Sequence, residues 1–196
     1  TLAQSLPRDV LRSGIGPERE VHAAVSPLAQ FRTFFTDETF DTTLFTVTTD
    51  PTDGPRPARV RLATLDSYDG ETFRGSADRD GAPFTRVPSR LEPAPGVASQ
   101  VGVEIGEYNE IWMPVVGSVA SVRFAGPRSA ALADAFYYNA EQSAAVEIAG
   151  GGLRAGDEYS LQVTVPEPRE VASLVPSATA PVGAVAPPAS LTTWMK

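Results

Sequence analysis

Residues 99–108, SQVGVEIGEY, set Val101, Val103 and Ile105 against polar or glycine neighbours. A repeat of two residues matches a pleated strand, whose successive side chains leave opposite faces, and does not match the helical repeat. The pattern returns in TLFTVTT at 43–49, where Leu44, Thr46 and Thr48 oppose Phe45 and Val47. It is clearer in ARVRLATLD at 58–66, where Val60, Leu62 and Thr64 oppose Arg59, Arg61 and Ala63. SVASVRFAG at 118–126, SAAVEIAG at 143–150 and DEYSLQVTV at 157–165 complete the set, while IWMPV at 111–115 is a strand broken by Pro114, which belongs at an edge or bulge. Asp-Gly or Gly-Gly steps separate the runs in PTDGPRP, SYDGE, DRDGAP and GGGLRAGDEY, where glycine takes positive φ at little cost. With 18 prolines and 16 glycines there is little room for long helices. The expected fold is mainly β: an antiparallel β-sandwich with one or two short helices and extended N- and C-terminal arms.

Three regions are expected along the 196 residues. Residues 1–24 read as an ordered arm with a short amphipathic stretch at Pro7–Arg12, residues 25–168 as the sandwich, and residues 169–196 as a Pro/Ala-rich linker toward a missing C-terminal domain. Within SPLAQFRTFF at 26–35, Ser26 suits a side-chain cap and Pro27 a first helical position, so a short helix should present Leu28, Phe31 and Phe35 to the sheet. SAALADAF at 129–136 reads as one or two helical turns. The start at Thr1 and the stop after LTTWMK are read as those of a segment from a longer protein.

Charge and composition exclude several chemistries. A net charge of −8 with no basic cluster argues against nucleic acid, whose binding draws on clustered cations. Arginine supplies every basic residue but Lys196, a bias that fits high-GC bacterial coding. The absence of cysteine removes disulfides, thiolate metal sites and thiol nucleophiles together. No run reaches the roughly 20 apolar residues that span a bilayer. His22, the sole histidine, has no Gly-x-Ser-x-Gly elbow to serve and reads as a solvated or packing residue. The carboxylate pairs Asp66 with Asp69, Asp78 with Asp80 and Glu104 with Glu107 are acid–base candidates only if the fold brings them face to face, and Asp before Gly is ordinarily turn chemistry. DRDG lacks the remaining ligands of a calcium loop, leaving calcium binding at the Asp-Gly turns open, and GGGLRAGDEY lacks both the Lys-Ser/Thr and the following helix of a phosphate loop, so it reads as a hairpin connection. Trp112, Phe124, Tyr137, Tyr138 and Tyr159 either line a sugar- or peptide-binding groove or pack the core, the commoner fate. No catalytic, cofactor or metal set emerges.

The order SPLAQFR, LFTV, VRLATLDSYDGETF, WMPVVGSVASVRFAG, FYYN and GLRAGDEYSLQVTVPEP, over most of residues 7–168, resembles the extracytoplasmic region of bacterial membrane proteins of the transglutaminase-like TgpA family. The residues that carry the resemblance are Arg61, Leu62, Leu65, Asp66, Tyr68, Asp69 and Gly70, then Trp112 and Pro114, then Gly156, Asp157 and Tyr159. Phe73 departs from the pattern, which often has tryptophan after YDG. The resemblance implies turn and packing roles for these residues, and none in catalysis. It further implies placement on the extracytoplasmic face of the membrane, between transmembrane helices and a papain-type Cys-His-Asp core, both outside this segment. The downstream catalytic domain is then the expected partner, and a module binding cell-wall glycan or peptide is the alternative.

Overall fold

The structure is a computed structural model that describes residues 17–37, 39–49, 59–68, 70–75, 84–87, 91–92 and 94–166. Its elements, in chain order, are helices α1 (Pro17–Ala23) and α2 (Pro27–Gln30), a 3-10 turn (Phe31–Phe35), and strands β1 (Phe45–Thr49), β2 (Ser67–Tyr68), β3 (Phe73–Arg74), β4 (Thr85–Arg86) and β5 (Val97–Ile105). Strands β6 (Trp112–Met113) and β7 (Ser118–Ala125) follow, then helix α3 (Ser129–Asp134), strands β8 (Phe136–Asn139) and β9 (Ala144–Glu147), a second 3-10 turn (Ala149–Gly151) and strand β10 (Glu158–Val165). Among the described residues two four-stranded antiparallel sheets form, ordered β1-β5-β10-β7 and β4-β8-β9-β6, beside the β2-β3 hairpin. The mainly β sandwich expected from the alternation is the fold observed.

The first sheet obeys the two-residue period. Val101, Val103 and Ile105 of β5 and Tyr159, Leu161 and Val163 of β10 point inward and are buried, while Thr46, Thr48, Glu104, Glu158 and Gln162 lie outside. The second sheet answers with Met113, Ala145, Phe136 and Tyr138, which share one apolar core with the first. Each fully buried Val, Leu or Ile contributes about 1.5–3 kcal/mol, so this inter-sheet layer is the main stabilising term.

Strand β9 is buried at every position, and the reason is a second cover. The register stacks Tyr137, Val146 and Trp112 in one row and Tyr138, Ala145 and Met113 in the next. The second of these rows faces the first sheet; Trp112, Ala144 and Val146 face away and pack with Phe84, Ile111 and Val21 of α1. Two tyrosine hydroxyls tie the layers: Tyr159 donates to the Pro114 carbonyl at 2.8 Å, and Tyr138 accepts the Val119 N–H at 3.0 Å. That N–H lies at the irregularity where β7 slips against β10.

Several expectations are corrected. Residues 59–66 are not a strand; Arg61 and Val115 exchange N–H···O bonds of 2.8 and 2.9 Å as an isolated bridge, and the Asp66 N–H donates to the Arg74 carbonyl of β3 at 3.1 Å. Val60 and Leu62 nonetheless pack on the main core with Arg61 outward, while Ala63 packs on the second cluster, so the alternation in burial ends at Leu62. GGGLRAGDEY is not a hairpin, because it carries the chain from β9 in the second sheet to β10 in the first. The Ser26 side chain makes no cap bond: its carbonyl takes the N–H groups of Ala29 and Gln30, and its hydroxyl is buried without a partner. The arm contains helix α1, whereas the stretch Pro7–Arg12, Asp69, Asp78, Asp80 and residues 169–196 lie outside the described residues. Pro114 follows β6, an edge strand, and residues 129–134 form the short helix α3.

Candidate functional site

The largest departure from expectation is the orientation of residues 26–35. Leu28, Phe31 and Phe35 do not pack on the sheet; they are exposed at 58%, 56% and 58%. The inward positions are Gln30 and Phe34, four residues apart on the opposite side. Phe34 packs against the main core, and Gln30 Nε2 donates to Glu110 Oε1 at 2.9 Å, just before β6. Burial raises the Glu110 carboxyl above its usual range, with the Gln30 bond pulling the other way. Anchored at these two points, the segment turns its remaining apolar side chains outward.

Those side chains form a ridge. The Phe31 and Phe35 rings lie 4.9 Å apart and tilted, Phe35 and Phe40 lie 6.5 Å apart, and Val25 and Phe40 are exposed as well. Threonines hold the backbone beneath it: Thr33 Oγ1 donates to the Gln30 carbonyl at 2.7 Å, Thr36 Oγ1 to Thr33 at 3.2 Å, and Thr42 Oγ1 to Thr39 at 2.7 Å. A fixed, contiguous apolar patch is the usual mark of an interaction surface, whereas scattered exposed hydrophobic residues are not.

The residues that the sequence singled out lie elsewhere. Arg61 donates to the Ser143 carbonyl at 3.0 Å, Leu62 and Leu65 are half-buried, and exposed Asp66 accepts from Gln142 Nε2. Tyr68 stacks on Phe73 at 4.6 Å and donates to the carbonyl of Gly70, which has φ +104°. Trp112 is buried against Phe84 and over Gly75, where a Cβ would stand 2.6 Å from the indole. Pro114 accepts from Tyr159, and Gly156, at φ +84°, donates its N–H to the Ile105 carbonyl at 2.9 Å. Trp112, Tyr138 and Tyr159 are core residues and Phe124 and Tyr137 half-buried ones, so the aromatic groove weighed for sugar or peptide is not formed by this set. Glu104 lies opposite Glu158 on the outer face of the first sheet, while exposed Glu107 lies beyond the end of β5.

Asp157 belongs to a polar corner that the sequence did not disclose. It is 3% exposed, receives Arg128 Nη1 at 2.6 Å and accepts the Arg154 N–H at 2.8 Å. Arg128 Nη2 also donates to the carbonyls of Ala149 and Gly152. Beside them Glu147 is fully buried: Oε1 accepts the Ala149 N–H at 2.8 Å and Oε2 has no partner. Desolvation pushes its carboxyl up to about 7, against the opposing pull of the Ala149 N–H and of Arg128. Every bond here closes the β9–β10 crossover, so the corner acts as a structural clamp. Among the described residues no group of three or more metal-ligating side chains assembles.

Residues 22–170 match the family described as TgpA N-terminal domain. The chain belongs to that family. No curated protein and no solved structure matches it. The TgpA N-terminal domain is an accessory, non-catalytic region of a TgpA-type protein, which agrees with a sequence that has no cysteine. In this TgpA N-terminal domain the phenylalanine ridge is therefore the candidate functional site, as a surface for contact.

Proposed function

We propose that this TgpA N-terminal domain is held on the extracytoplasmic face of a bacterial membrane and positions or regulates the downstream transglutaminase-like domain of the same protein by docking against it. The observation that carries the reading is the ridge of Leu28, Phe31, Phe35 and Phe40, fixed by Gln30 and Phe34 yet open to solvent. Membership of the family and the lack of a thiol nucleophile support a role without chemistry of its own. A packed sandwich supplies the rigidity that docking needs, since contacts on a preformed surface lose little entropy on binding.

A second reading, recognition of cell-wall glycan, draws on the exposed Tyr68–Phe73 stack, a flat aromatic pair of the kind that sugars can lie against. Titration calorimetry of the 196-residue chain against the separately expressed downstream domain, with soluble wall fragments as a parallel titrant, separates the two. Saturable heat with the downstream domain is expected. Heat with wall fragments alone transfers the function to surface recognition, and turnover of substrate by the isolated chain refutes an accessory role.

A further inference from the structure

The rim of the ridge says what kind of surface it fits. Between Val25 and Thr42 the only basic residue is Arg32, while Asp37 and Asp41 flank Phe40 and are exposed. The turn that carries these carboxylates is tied back by the Thr36–Thr39 hydroxyl pair at 2.9 Å and by the Phe40 N–H, which donates to the Thr36 carbonyl at 2.9 Å. The backbone between Phe35 and Phe40, which carries Asp37, is thus held in a fixed turn, with Asp41 next in the chain after Phe40. Resting on the docking role proposed above, we infer that the ridge takes a protein surface whose centre is apolar and whose edge carries arginine or lysine.

Charge decides among the other occupants. Two copies of this chain, each carrying −8, would bring acidic rims together, and like charges facing across an interface oppose association. A bilayer surface of anionic lipid selects segments rich in Lys and Arg on the polar side, the reverse of what surrounds Phe40. A basic-edged protein surface satisfies both halves of the patch: the rings are the buried anchors, and the carboxylates guide approach from the rim.

The test uses the full chain and the downstream domain. Phe31→Ser combined with Phe35→Ser is expected to weaken binding at least ten-fold, and Asp37→Arg with Asp41→Arg to weaken it several-fold while removing most of its salt dependence between 50 and 500 mM. Circular dichroism and thermal melting of each variant show that the sandwich is intact, as exposed positions allow. Binding that survives both pairs unchanged overturns the inference and leaves the accessory role standing, whereas no binding by the unsubstituted chain refutes that role itself. Concentration-dependent dimerisation in sedimentation velocity, or flotation with phosphatidylcholine or phosphatidylglycerol vesicles, overturns the inference if Phe31→Ser abolishes it.

Discussion

At the scale of single residues, the polar corner makes the sharpest predictions. Glu147 has a folded-state pKa of about 7, above its ordinary value of 4.5, so the folded form holds a proton that the unfolded form releases. Its contribution to stability is present below about pH 4.5 and is lost as pH rises through about 7. Glu147→Gln should remove that loss. Urea unfolding at pH 5 and pH 8 should show the variant gaining on the unsubstituted chain at pH 8, by on the order of 2 kcal/mol relative to pH 5. An equal difference at both pH values counts against the assignment. Arg128→Ala leaves buried Asp157 without its cation and should cost about 3–5 kcal/mol in the same measurement. Arg128→Lys should recover only part, because a point charge cannot reach Asp157 and the Ala149 and Gly152 carbonyls as a fork does.

Elements were legible where one face meets a core and the other meets water. The alternation in β1, β5, β7 and β10 identified four strands that form the first sheet. It failed at 59–66, where burial alternates only as far as Leu62, residues 62–65 are all half-buried, and the backbone shares a single bridge with Val115. It failed differently at 26–35, where two apolar faces compete: Leu28, Phe31 and Phe35 offer more hydrophobic area, but Phe34 fits the core and Gln30 finds Glu110. Partners remote in the chain decided that choice, and local periodicity holds no record of them. Glu147 had one signal, its shared parity with Ala145 toward the inter-sheet core, whereas nothing near Arg128 in the sequence marks it as a clamp. The orientation of 26–35 is testable by denaturation. Phe34→Ala should destabilise by about 1–3 kcal/mol for a half-buried ring, while Phe31→Ser and Phe35→Ser should stay within about 0.5 kcal/mol. Losses of the reverse order contradict the inverted face.

The whole molecule combines a sandwich braced on one side by α1 with a ridge of aromatic side chains facing solvent. Its core takes up Trp112, Tyr138 and Tyr159, which the sequence offers as a groove, and the ridge takes Phe31 and Phe35, which the sequence places against the sheet, together with Phe40. That exchange leaves the docking role, expected from the resemblance, with a surface that could serve it. The residues around Tyr68, Trp112 and Gly156 belong to a turn, a buried face and a crossover. The most direct measurement is a calorimetric titration of the downstream domain with the full chain and, in parallel, with its Phe31→Ser/Phe35→Ser variant, after equal melting temperatures have been established. Saturable binding by the first and a loss of ten-fold or more in the second is the predicted result. Equal affinities, or no binding by either, would contradict docking through the ridge.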